Sequence, residues 1–346
     1  MRNLIKKCAL CASLALLLIL QSTHATGIDP QYIPSDAKWL IHVDMDALIK
    51  TKLWNFVNVN INAFTSHRGL SIGVGPTSQP SDGPASRKIK ALADALGMKL
   101  PEDIHGLTLV GRSFDEADAF LLVKATMDHD RIIGLAKINP QYTSTTHAGV
   151  EISSWKGEDI SGAFLSEDIL ALAQRSGGIE QAIDAAHSPQ HAPSGLLAGV
   201  ETKPGDDNAG VVIYIAAEGL AELQKEEELS PILTPVTRVR ASFAERGDDL
   251  VLTAVLDVKT AESARQVRGA LEGIRALASL AVLEGNDQTA KALAMLAQRA
   301  TSSVQDTTVT VHWPFSLSVV QQLAADQFGK KPKHSAKLAT THPEKK

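Results

Sequence analysis

From residue 39 onward the chain alternates apolar and polar positions in short runs, broken at intervals by stretches of helical period. The period-2 runs predict strands. They are WLIHVD from Trp39, LTLVG from Leu107, DAFLLVKATM from Asp118, GVEISSW from Gly149, ISGAFLSEDILALA from Ile160, VVIYIAAE from Val211, VTRVRASFAE from Val236, DDLVLTAVLDV from Asp248 and TTVTVHW from Thr307. Between them, apolar residues three and four apart predict helices. One is capped by Ser86, carries Ile89, Leu92 and Leu96 on one face and ends at Gly97; a second starts at Asp128 (DHDRIIGLAKI) and a third is GGIEQAIDAAH. A longer one carries the stripe Val267, Leu271, Ile274, Ala278 and Ala281, is broken by Gly285-Asn286-Asp287, and is followed by an alanine-rich helix to about Ala300. A last helix spans Leu317 to Phe328.

Two of the strand pairs repeat. LTLVGRSFDE (107–116) and VTRVRASFAE (236–245) share Thr108/Thr237, Val110/Val239, Ser113/Ser242, Phe114/Phe243 and Glu116/Glu245 at one constant offset. Each runs through a turn with Asp or Gly into a second apolar strand, the pattern of a β-hairpin. More loosely, WLIHVDMDAL from Trp39 overlays VVIYIAAEGL from Val211, each a strand running straight into a helix. The longer spacing in the first copy is taken up by the Gly/Pro/Ser-rich stretch Ser66–Ser86 and the helix behind it. The expected fold class is α+β: two related lobes, each an antiparallel sheet with helices packed on one face. The first lobe is expected over 26–186 and the second over 211–328, with the Pro/Gly-rich 187–210 as linker. The glycine-rich strand-to-helix turn of a dinucleotide fold is absent.

The N-terminus changes the picture of where this body resides. Arg2, Lys6 and Lys7 precede an apolar run from Cys8 to Leu20, and Thr23-His24-Ala25 has the small-x-small form of a cleavage site. That is the layout of a secretory signal peptide, 1–25, cut between Ala25 and Thr26. The run is short of the about 20 residues a spanning helix needs. The expected address is periplasmic or secreted. Both cysteines, Cys8 and Cys11, leave with the leader, so a mature chain would hold no disulfide, thiolate nucleophile or zinc–cysteine site. Loss of the leader takes the formal charge from −5 to −8. The last 18 residues hold six lysines against one glutamate and are expected to form a disordered basic tail, 329–346. The rest is strongly acidic, which argues against nucleic acid as partner. The tail reads first as a solvated end lying loosely on the acidic body, with an envelope partner or an anionic surface as its functional alternative, and a homo-oligomer fits as well.

Three segments carry a likeness to other sequences: PSDAKWLIHVDMDAL from Pro34, EDIHGLTLVG from Glu102 and ISGAFLSEDIL from Ile160. In these the chain resembles a type of exported bacterial protein frequent in planctomycetes and related groups. The resemblance implies export and a shared fold. It implies no activity and no site residues.

One constellation could carry chemistry. In a strand, residues two apart share a face, so His42, Asp44 and Asp46 are expected to line up on a polar face with Ile41, Val43 and Met45 buried behind them. An imidazole and two carboxylates form a partial ligand set for a divalent metal, or an acid–base group. The competing reading makes Asp44 or Asp46 the cap of the helix that follows. His187 and His191 are four apart, but Pro189 between them breaks any helix. There is no G-x-S-x-G elbow and no phosphate loop, and no cofactor is implied. The sequence therefore points to an exported, non-enzymatic binding or structural protein of the envelope, with a metal-assisted hydrolase built on His42, Asp44 and Asp46 as the alternative. Protein recovered from the envelope of an expressing cell should give Thr26 as its first residue on Edman sequencing; Met1 at the N-terminus would overturn the exported reading.

Overall fold

The structure, a computed structural model, describes residues 28–56, 90–91, 93–115, 118–155, 160–188, 194–197, 211–220, 234–284 and 295–321. The leader, the Ser66–Ser86 stretch, Glu116, the Gly285–Asp287 break and the basic tail lie outside these residues.

Among the described residues twelve strands form one sheet. In chain order they are β1 (Trp39–Asp44), β2 (Ile104–Gly111), β3 (Ala119–Ala125), β4 (Tyr142–His147), β5 (Val150–Trp155), β6 (Ile160–Phe164), β7 (Ile169–Ala173), β8 (Val211–Glu218), β9 (Val236–Arg246), β10 (Asp249–Val258), β11 (Thr301–Gln305) and β12 (Thr308–Ser316). Their spatial order is β11-β12-β10-β9-β8-β1-β2-β3-β7-β6-β5-β4, and every neighbouring pair is antiparallel. The protein is thus mixed helix and strand around one large antiparallel sheet. The segments that repeat in sequence both form hairpins. β2–β3 lies beside β1, β9–β10 lies beside β8, and β1 pairs with β8 at the centre.

Two strands have no apolar alternation to announce them. β4 (YTSTTH) and β11 (TSSVQ) are mostly threonine and serine, and each is held by one neighbour at an end of the sheet. The stretch from Ile160 to Ala173, expected as one strand, is two. Ser166-Glu167-Asp168 interrupts it: the Ser166 hydroxyl donates to Asp168 at 2.7 Å, and the Leu165 N–H bonds the Ile169 carbonyl at 2.9 Å. This is turn chemistry overriding a run of apolar residues.

Among the described residues the helices between the strands include α1 (Met45–Leu48), α2 (His129–Ile138), α3 (Ser176–His187), α4 (Ser194–Leu197) and α5 (Ala261–Glu284). They do not share one face, contrary to the sequence expectation. Pairing register sorts the side chains into two sets. Leu40, Val110, Phe120, Ala173, Tyr214 and Ala216 lie on face A, and α3 packs Ile179, Ala182 and Ile183 there. Val239, Leu256 and Val309 lie on face B, where α5 seats Ala264, Val267 and Leu271. The cause lies in the central strands. Leu40 and Ile41, or Val110 and Leu109, make both faces apolar, so a helix finds an apolar surface to pack on at either side of the sheet.

A long-range tie links the early chain to β9. Glu245 is buried, and its two carboxylate oxygens accept the backbone N–H groups of Lys52 and Leu53 at 2.9 and 3.0 Å. Those residues open a helical stretch at 52–56, whose Trp54 N–H is bonded by the Thr51 hydroxyl oxygen at 2.9 Å. Free donors at a helix start are well matched by a carboxylate. Gly97, expected as a helix terminator, does end a helix: it sits at φ 73°, and the Met98 N–H reaches back to the Ala93 carbonyl.

Phe120 is the largest of the fully enclosed side chains on face A. Phe120→Ala should lower unfolding free energy by about 3–5 kcal/mol, read from the urea midpoint with the slope unchanged.

Candidate functional site

β1 delivers His42 and Asp44 to face A, the covered side, and leaves Ile41 and Val43 on face B. The expected polarity of the strand is reversed. His42 is 1% exposed and Asp44 is 9% exposed, whereas Ile41 is 37% exposed. A polar residue can occupy the inner face only where partners wait for it. The His42 Nδ1 lies 2.8 Å from the Thr108 hydroxyl, on the directly opposed residue of β2. A Cβ at Gly106 would stand 3.3 Å from the His42 ring, so the small residue there gives the imidazole its space.

Asp44 caps α1. Its Oδ1 accepts the Ala47 N–H at 2.8 Å. Burial raises its pKa above the ordinary carboxylate value, and the Ala47 hydrogen bond opposes that shift. Asp46 leaves the strand altogether. It lies in the first turn of α1, and its carboxylate accepts from His105 Nδ1 at 3.1 Å. The three expected ligands are thus a core hydrogen bond, a helix cap and a surface pair. Among the described residues no group of three or more His, Cys, Asp or Glu side chains is placed to hold a metal ion.

The structure instead joins Asp46 to residues that sequence spacing could not link to it. His105 Nε2 lies 2.9 Å from the Thr126 hydroxyl, completing a row of carboxylate, imidazole and hydroxyl across α1, β2 and the end of β3. In the neutral ring Nδ1–H donates to Asp46, and Nε2 accepts the Thr126 O–H. The row is open to water, with the His105 and Asp46 side chains 33% and 52% exposed. Its evident effect is to pin α1 to the β2–β3 hairpin.

A cleft of about 280 Å³ lies elsewhere, between the loop at Pro34, the end of β2 and the C-terminal turns of α3. Its charged groups are already engaged. Arg112 binds Asp36, and Asp184 bonds His147 Nε2 at 2.7 Å across to the β4–β5 turn. His187 closes α3, with Nδ1 2.8 Å from the Ile183 carbonyl. A further polar cluster went unread in the sequence: Asp257 gathers Arg238 and Arg240 at 3.3 and 3.1 Å and the Thr308 hydroxyl at 3.0 Å. Arg238, Asp257 and Thr308 face one another across β9, β10 and β12, and Arg240 lies two positions along β9 on the same face A, all placed by register.

Face B carries the most open apolar surface of the sheet centre. Ile41 and Ile215 are directly opposed in β1 and β8 and are 37% and 41% exposed. Leu109 and Leu121 continue that row on one side, and Ala241 and Ala254 on the other. Among the described residues no helix is long and apolar enough to cross a membrane.

No family model matches the sequence, and no curated protein matches it. Among solved structures the fold is similar to crystal form III of TP0453, a Treponema protein, with a TM-score of 0.44 and 8% identity over 87% of this chain and 99% of that one. Crystal form I of the same protein gives 0.43 and 10% over 87% and 98%.

Because burial raises the Asp44 pKa, its ionised form costs folding free energy, and the contribution worsens as pH rises from 3.8 through the elevated value. Asp44→Asn keeps a capping oxygen and removes that titration. Its stability relative to the native chain should therefore improve as pH is taken from about 3 to about 6, measured by urea unfolding across that range. A constant difference would contradict the buried-cap assignment.

Proposed function

We propose that the chain is an exported, non-enzymatic protein of the cell envelope that works by binding the apolar surface of a partner protein along face B. The observation that carries this reading is the Ile41–Ile215 pair. Two β-branched side chains, opposed at the middle of a twelve-stranded sheet, are left more than a third exposed in an apolar row several strands wide. Contiguous apolar surface of this kind marks interaction sites in soluble proteins. The leader-like N-terminus and the confinement of cysteine to it support the exported address.

The same reading takes the body as two related lobes, 26–186 and 211–328, fused edge to edge. Its support is positional. The two sequence-related hairpins flank β1 and β8 in equivalent places, and the helix after each, α2 after β3 and α5 after β10, stands on face B. On this view the binding row lies where the lobes meet, and each contributes one isoleucine.

The test is binding of the apolar dye anilinonaphthalene sulfonate. The native protein should enhance its fluorescence. Ile215→Glu and Ile41→Glu should each cut the enhancement by half or more with the far-UV circular dichroism unchanged. A native protein that leaves the dye dark, or variants that bind it as well as the parent, would overturn the assignment of face B.

A further inference from the structure

The sheet stops at β4 on one side, and β4 has none of the usual protection of an outermost strand. Exposed edges in natural proteins are blunted by charges, proline, bulges or a very short strand. The six residues Tyr-Thr-Ser-Thr-Thr-His include no lysine, arginine, aspartate, glutamate or proline. β4 pairs with β5 in unbroken register from Tyr142↔Trp155 to His147↔Val150. Register shifts do occur in this sheet, but they lie in β2, β8 and β10. Ser144, Thr145 and Thr146 are exposed, and among the described residues no strand lies along the outer side of β4. The β4–β5 turn is tight, with Ala148 and Gly149 at φ 47° and 84°, positive values that suit the twist of a two-residue hairpin. The strand is therefore presented straight and in fixed register. Four residues before it, Ile138 at the end of α2 is 75% exposed, and Leu135 one turn earlier is 37% exposed.

We propose that β4 is a dimerisation edge, pairing antiparallel with β4 of a second copy about a two-fold axis normal to the sheet. The strand is its own complement. In a symmetric antiparallel pair one residue lies opposite itself. With Ser144 on the axis, Thr143 faces Thr145 of the second copy; with Thr145 on the axis, Ser144 faces Thr146. Either way hydroxyl-bearing residues of similar size meet, a favourable cross-strand combination, and no like charges are brought together. The contact uses the same strand from both copies and so closes at two. A pairing of β4 with β11 would be heterologous and would propagate. α2 of each copy arrives beside the seam, and Ile138 gains apolar cover there.

The test is light-scattering mass on the full chain at micromolar concentration, with Cys8→Ser and Cys11→Ser as background. The expected mass is twice the 36.9 kDa of one chain. Ser144→Pro, which removes an outward-facing edge N–H, and Thr145→Lys, which brings a like charge from each copy into the seam, should both give monomers. The lysine variant should keep the native circular dichroism, so it carries the test if the proline variant misfolds. Of the single variants Ser144→Cys and Thr145→Cys, one should form an intermolecular disulfide on mild oxidation. A native monomer, a dimer that survives both the Ser144→Pro and the Thr145→Lys substitution, or a dimer in which neither cysteine cross-links would overturn the proposal. A ladder of species beyond the dimer that Ser303→Lys in β11 abolishes would overturn it in favour of head-to-tail assembly.

Discussion

The pairing of β1 with β8 holds this molecule together. Five residue pairs, Trp39↔Ala217 through Val43↔Ile213, bond the opening strand of the early chain to the opening strand of the late chain. Every other strand is added outward from that seam, β2 to β7 on one side and β9 to β12 on the other. The contact joins residues far apart in sequence, so its loop-closure entropy is large. The enclosed layer beneath it supplies the compensation: Leu40, Val110, Phe120 and Ala216 all lie on that face and are essentially sealed from water.

The seam is also where polar side chains are buried, and this gives it a unique alignment. His42 lies opposite Thr108 on one neighbour and Tyr214 on the other. Thr108 bonds the imidazole, and the Tyr214 hydroxyl donates to the Leu196 carbonyl in α4. Burial pushes the Tyr214 phenol up to about 12, so it stays a neutral donor. Sliding β1 by one residue would carry His42 to face B and bring Ile41 against these polar groups. The neighbouring aspartate ends the same strand as a helix cap, its carboxylate meeting the Ala47 N–H at the start of α1.

Strand positions were legible wherever apolar residues alternated, and the two hairpins and the Gly97 stop could be read directly. What escaped followed from pairing. β4 and β11 are strands because a neighbour offers them a ladder, and threonine and serine are indifferent to which face they take. The inward orientation of His42 and Asp44 could not be seen in WLIHVDMD, since alternation names two faces without saying which is covered. The link from Asp46 through His105 to Thr126, and the Asp257 cluster with Arg238 and Arg240, depend on register between strands. Face B as a second apolar side was written in the central strands, where consecutive residues are apolar. The expectation of helices on one face overlooked that doubling.

The clasp of Glu245 on the backbone of Lys52 and Leu53 reaches across that seam, from the β9–β10 hairpin to the chain just after α1. Together with the central strand pair it ties the early chain to the late chain twice, once by a backbone ladder and once by an acid–amide latch. Either half without the other would present a bare central strand as a raw template for misassembly.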